Sequence, residues 1–247
     1  MPSRQNLCLA AVFVLWLSLA VGVNAQNVQV LQVSRLANSA TGIVAERVVL
    51  EAARRAGLPL QFRVHEVPLQ RGVPMVDAGD LDADMIRPKS IDGKFPNVVR
   101  LNVPSVTLDF GAYARSPGVR IMSREEMNLK SFGIPKGMTS AQKLVEGLKF
   151  SEGQSLNALF EMLTAGRFDF AVLPYFEAEL EIRQSWPSVY VWPRYWGSEP
   201  LYFVLNRKHQ ALVAPLEQAL AQMTSEGVPR KYYEEMLKEK GIQPLKN

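Results

Sequence analysis

Eight residues have the types and surroundings to grip a small polar molecule: Ser34, Arg35, Arg87, Thr139, Ser140, Tyr175, Glu177 and Trp196. An arginine such as Arg87 offers a planar fork of donors that matches a carboxylate. Its other reading is a structural salt bridge to Asp82 or Asp84. Thr139 and Ser140 open a helix-like stretch, where free backbone N–H groups attract a carboxylate or phosphate; Thr139 can also serve as a plain helix cap. Tyr175 and Glu177 follow Pro174, directly after an apolar run. Trp186, Tyr190, Trp192, Tyr195 and Trp196 crowd together, and such rings either stack on a ligand or pack between strands. Gly197 and Pro200 mark a loop, which singles out Tyr195 and Trp196 as ligand candidates.

Signatures of catalysis are missing from the chain. It has no GxSxG, no GxxxxGK[ST], no HExxH and no GxGxxG. The two histidines, His65 and His209, read as surface or capping groups. Asp80, Asp82 and Asp84 alternate, but the glycine and closing glutamate of a calcium loop are absent at the required offsets. No catalytic residue, metal ligand or cofactor is therefore expected.

These groups hang on alternating strand-like and helix-like segments. Residues 28–33 alternate apolar and polar and read as a strand. Residues 43–56 read as a helix with Val44, Val48, Ala52 and Ala56 on one stripe, stopped by Gly57. Leu60, Phe62 and Val64 alternate as a second strand. This β-α-β order indicates a parallel sheet covered by helices. Ser34 and Arg35 then end the first strand, and Arg87 ends another. A short strand at 131–134 leads to Thr139-Ser140-Ala141-Gln142, which reads as a capping box. Leu156, Leu159, Phe160 and Leu163 mark a helix, and 168–173 a buried strand. Residues 210–223 and 231–240 read as two tail helices. One internal echo stands out. Ala78-Gly79-Asp80-Leu81-Asp82-Ala83-Asp84-Met85 reappears as Ala165-Gly166-Arg167-Phe168-Asp169-Phe170-Ala171-Val172, each a helix end, a glycine, an apolar residue, an aspartate and a strand.

The start of the chain predicts export. Arg4 supplies a positive charge, an apolar run extends from Leu7 to Val23, and Val23-Asn24-Ala25 offers a cleavage site with Gln26 next. Cys8 is the only cysteine and precedes most of that run, unlike a lipoprotein cysteine. After cleavage no cysteine remains, which excludes disulfides and thiol chemistry and suits a bacterial periplasm. A hydrophobic content of 47% and a charged content of 21% are those of a globular protein rather than a disordered one. The net charge of +4 is scattered along the chain, so nucleic acid is not an expected partner.

The layout resembles the family 3 extracellular solute-binding proteins, the amino-acid type that serves ABC transporters. The resemblance rests on Gly79-Asp80-Leu81-Asp82-Ala83, the stretch from Gly133 to Ser140, the stretch from Gly166 to Leu173, and Glu199 to Arg207. It implies an α/β fold of two lobes, each a mainly parallel sheet with helices on both faces, joined by two crossover strands near 111–114 and 201–206. The expected division is a signal peptide at 1–25, lobe 1 at 26–113 with 206–247, and lobe 2 at 114–205. The chain departs from the family where an arginine usually follows the first echo strand, a role left to Arg87. It departs again at the acidic residue that binds a ligand's amino group, a role left to Glu177. The resemblance implies a monomer that takes a small, polar, carboxylate-bearing ligand and hands it to an inner-membrane ABC permease or a sensor. Two other readings stay open. One is a dehydratase-like enzyme using Glu177 with Arg87. The other is a protein-binding module whose cleft is filled by side chains such as Tyr195 or Trp196.

Overall fold

The alternating run at the start becomes β1 (Gln29–Arg35), which lies between β2 (Leu60–Glu66) and β3 (Ala83–Arg87) and is parallel to both. A computed structural model describes residues 28–37, 39–118, 123–192 and 196–245. The cleavage site expected at Ala25 and the side chain of Tyr195 lie outside these residues. No helix among the described residues is long and apolar enough to cross a membrane.

Helix α1 (Ala40–Arg55) joins β1 to β2 and buries Val44, Val48 and Ala52, the stripe read from its spacing. It begins three residues earlier than that stripe suggests, because Ser39 accepts a hydrogen bond from the Gly42 N–H and caps it. Helix α2 (Leu69–Ala78) precedes β3 and ends on Gly79, whose φ of 86° is the left-handed geometry that glycine tolerates best. After β4 (Val98–Arg100), strand β5 (Val106–Ala114) passes into a second unit. There α3 (Arg124–Asn128), β6 (Ser131–Pro135), α4 (Thr139–Leu144), β7 (Lys149–Gly153), α5 (Leu156–Thr164), β8 (Phe170–Pro174) and α6 (Tyr175–Ser185) follow in order. Strand β9 (Tyr190–Val191) pairs with β5, and β10 (Gly197–Asn206) returns to the first unit. A 3-10 turn (Arg207–Leu212), α7 (Val213–Ser225) and α8 (Val228–Glu239) close the chain.

The strands run in the order β2-β1-β3-β10-β5-β8-β6-β7. Reading inward from either end gives the same plan: an edge strand, the first strand of the lobe, the strand after the echo, and a crossover. The echo has a physical basis. The Asp82 carboxylate accepts the Gln32 N–H of β1 at 2.8 Å, and Asp169 accepts the Ser131 N–H of β6 at 2.8 Å. In each lobe the aspartate thus ties the incoming strand to its central neighbour. β5 and β10 pair antiparallel, with Val106 opposite Leu201 and Phe110 opposite Gly197, so two crossovers lie side by side, but at 106–110 and 197–201 rather than at the expected 111–114 and 201–206, which pair within the separate lobes. The last half of β10 pairs with β3 and β4 of the first lobe.

Candidate binding site between the lobes

In a parallel sheet, side chains at the carboxyl ends of strands gather where helices begin. In the first lobe Ser34, Asp84 and Arg87 meet at that edge. Ser34 Oγ donates to Asp84 Oδ2 at 2.5 Å, and Arg87 Nη2 donates to the same oxygen at 2.5 Å. The three residues are 0%, 1% and 5% exposed. Of the two salt-bridge partners foreseen for Arg87, Asp84 is the one used; Asp82 pairs instead with Lys208 and His209. Burial pushes the Asp84 carboxyl up, while Arg87 and Ser34 pull it back. Arg87 Nε is buried and has no partner among the described residues. Gly72 of α2 lies against the group. A Cβ there would overlap Asp84 Oδ2 and stand 2.5 Å from Arg87 Nη2 and 2.8 Å from Ser34 Oγ. Arg35, next to Ser34, acts as a strut within the lobe: its guanidinium pairs with Glu46 at 2.7 Å and Glu66 at 3.2 Å.

In the second lobe the expected site residues lie at the starts of α4 and α6 and at the foot of β10. Thr139 is exposed and Ser140 is buried. The capping box foreseen for Thr139 and Gln142 does not form. Met138 is the N-cap, and the Gln142 amide donates to Glu152 Oε1 of β7 at 2.9 Å. Tyr175 begins α6, but its hydroxyl donates to the Gln243 carbonyl at 2.5 Å and so serves the C-terminal tail. Trp196 packs into the second lobe, with its ring 5.7 Å from Phe132.

Glu177 crosses between the lobes. Its Oε1 accepts the Thr41 N–H at the start of α1, at 3.1 Å. Glu177 as a residue keeps some exposure, but among the described residues neither its buried Oε2 nor the buried Thr41 Oγ1 makes a well-formed hydrogen bond. Burial pushes the Glu177 carboxyl up; the Thr41 N–H and the nearby hydroxyls of Thr41 and Ser39 pull it back. The lobes approach a second time where Gln70 of α2 nears Gly137. Glu177 therefore bridges the lobes at the start of α1, where the Arg35 side chain also packs against Gly42. Ser34 and Arg87 gather with Asp84 within the first lobe, Thr139 and Ser140 begin α4 in the second, and Tyr175 and Trp196 are committed elsewhere. Thr41 and Gly72 escaped sequence reasoning. Among the described residues a cavity of about 130 Å³ lies away from this interface, between β5 and the α7–α8 turn, lined by Val106, Thr107, Arg230 and Tyr233.

The fold is that of the two-lobed periplasmic binding proteins. The chain matches the probable amino-acid ABC transporter extracellular-binding protein YtmK of Bacillus subtilis with a TM-score of 0.68 at 14% identity, over 86% of this chain and 99% of that one. It matches the GluR0 ligand-binding core complexed with L-glutamate with a TM-score of 0.64 at 16% identity, over 85% and 99% of the two chains. A histidine kinase sensor domain with similarity to periplasmic binding proteins matches with a TM-score of 0.62 at 14% identity, over 87% and 98%. By sequence, the chain is 24% identical over 193 residues to an uncharacterized protein of Shewanella oneidensis, covering 72% of this chain and 70% of that one. No protein-family model matches the chain.

Proposed function

We propose that this chain is a periplasmic solute-binding protein that captures a small, polar, carboxylate-bearing ligand between its lobes. The observation that carries the reading is the contact between the lobes, with Glu177 of the second reaching the start of α1 in the first, across a strand path whose halves meet at the paired crossovers β5 and β10. Such a layout supports hinge closure around a solute. Structural neighbours that bind amino acids support the ligand class, and the neighbouring sensor domain supports delivery to a sensor as well as to an ABC permease. In this reading residues 1–25 are a cleaved leader, 26–113 with 206–247 form lobe 1, 114–205 form lobe 2, and the protein acts as a monomer. Arg87, Ser34, Thr139, Ser140 and Glu177 are its binding residues, with Arg35, Tyr175 and Trp196 in supporting positions. The enzyme reading has less support, because Arg87 and Glu177 are engaged with different partners.

The test is a thermal-shift screen of amino acids and related carboxylates on the protein beginning at Gln26, followed by native mass spectrometry of the freshly purified protein. A ligand held at a hundred times its Kd should stabilise the fold by about 2.7 kcal/mol. Absence of any saturable shift and of any co-purified metabolite overturns the solute-binding reading.

A further inference from the structure

Helix α1 is 16 residues long and carries no acidic residue in its first turn. Its amino end nevertheless needs acceptors, because the first N–H groups of a helix have no partner within it and the helix dipole adds positive potential. Ser39 Oγ takes the Gly42 N–H at 3.0 Å. The next acceptor comes from the opposite lobe: Glu177 Oε1 takes the Thr41 N–H. Thr41 is 1% exposed, and its hydroxyl lies near the Glu177 carboxyl but makes no well-formed hydrogen bond among the described residues. The second oxygen of Glu177 is equally buried and makes no well-formed hydrogen bond among the described residues. A carboxylate therefore sits on a helix start that has a backbone donor and a spare hydroxyl, which is how helix starts hold anions. Here the carboxylate belongs to the chain.

We propose that the amino end of α1 is a carboxylate site of the first lobe, with Glu177 as its built-in occupant, latching the lobes until they part and free the site for a ligand carboxylate. The proposal rests on the lobe movement of the solute-binding reading, but its probe needs no cognate solute. In the ligand-free protein Glu177 is then a competitor for the site, and lobe opening exposes Thr41 N–H and Oγ1 together. The cation beside this helix start is Arg35, whose side chain packs against Gly42 and whose guanidinium is held by Glu46 and Glu66.

The test uses acetate on Glu177→Ala in the chain beginning at Gln26. Glu177→Ala should widen the radius of gyration seen by X-ray scattering and lower Tm by about 2–8 °C. Acetate, but not chloride or acetamide, should then raise the Tm of the variant saturably and leave wild type unmoved. Adding Thr41→Val to Glu177→Ala should weaken the acetate response several-fold. Glu177→Gln, which keeps an acceptor for Thr41 N–H, should stay compact and ignore acetate. If Glu177→Ala does not fold, Glu177→Ser leaves similar space beside a polar atom and carries the same test. An acetate response equal in wild type and variant, or a variant as compact as wild type, overturns the proposal. A failed solute screen beside a positive acetate response overturns the solute-binding reading alone.

Discussion

At the residue scale, the first-lobe wall is governed by one buried ion pair. Arg87 and Asp84 are both nearly inaccessible and share an oxygen with Ser34, so removal of either charge strands the other. Arg87→Ala should cost about 3–5 kcal/mol in a urea melt at neutral pH. A loss below about 1 kcal/mol would mean that the pair is solvated rather than buried. Gly72 bears on the same group from α2, where any Cβ must displace the carboxylate or the guanidinium. Gly72→Ala should therefore destabilise by about 1–3 kcal/mol, more than the same change at an open helix position, where alanine is favoured. The sequence made Arg87 legible as a clamp or a salt-bridge partner, because it lies three positions after Asp84 at the end of one strand. The Glu177–Thr41 contact was not legible. Its partners are 136 positions apart, and no local pattern announces a hydrogen bond to a backbone N–H at that distance.

At the element scale, the repeated Gly-x-apolar-Asp unit does the same mechanical work twice. In each lobe an aspartate at the foot of a strand accepts from the backbone of the central strand, Asp82 from Gln32 and Asp169 from Ser131. Asp82 carries more, since Lys208 and His209 also converge on it from the turn after β10. Burial alone would raise its pKa, yet Lys208, the Gln32 N–H and His209 outweigh burial and hold it at about 2, against an ordinary 3.8. A carboxyl with a lowered folded-state pKa stabilises above its unfolded pKa, and that stability fades as pH falls through the folded value. Asp82→Asn should thus cost about 1–2 kcal/mol at neutral pH, after allowance for the half-exposed Lys208. The gap between mutant and wild type should narrow as pH falls from about 4 towards 2; a gap independent of pH would assign the loss to packing instead. Elements with strong periodicity were legible for the same reason that they are stable: α1 and α5 bury the stripes that their spacing marks. The capping box at Thr139 was misread because Gln142 finds Glu152 on a neighbouring strand. The box that does form, Ser123 with Glu126 on α3, follows the same local rule in a stretch without apolar spacing to draw attention to it.

At the scale of the whole molecule, the question is whether two lobes with their own helices behave as one folding unit. The strands form a single continuous path through β10 and β5, and α7 and α8, which follow the return crossover, pack on α1. Arg230 of α8 also reaches Asp109 on β5 at 2.8 Å, tying the tail to the crossover. These connections predict cooperative unfolding, and the tryptophans offer a way to see it. Of the four, Trp16 lies in the expected leader, and Trp186, Trp192 and Trp196 all fall within the proposed second lobe. Fluorescence therefore reads lobe 2, while circular dichroism reads both. If the sheet couples the lobes, the two probes should give coincident denaturation midpoints, as a two-state transition requires. Arg87→Ala, a change confined to lobe 1, should then lower both midpoints by the same amount. Were fluorescence to keep its wild-type midpoint while dichroism shifted, the lobes would unfold separately. The crossover pair would then be a passive hinge, and closure would depend on contacts such as Glu177 with Thr41 rather than on the sheet.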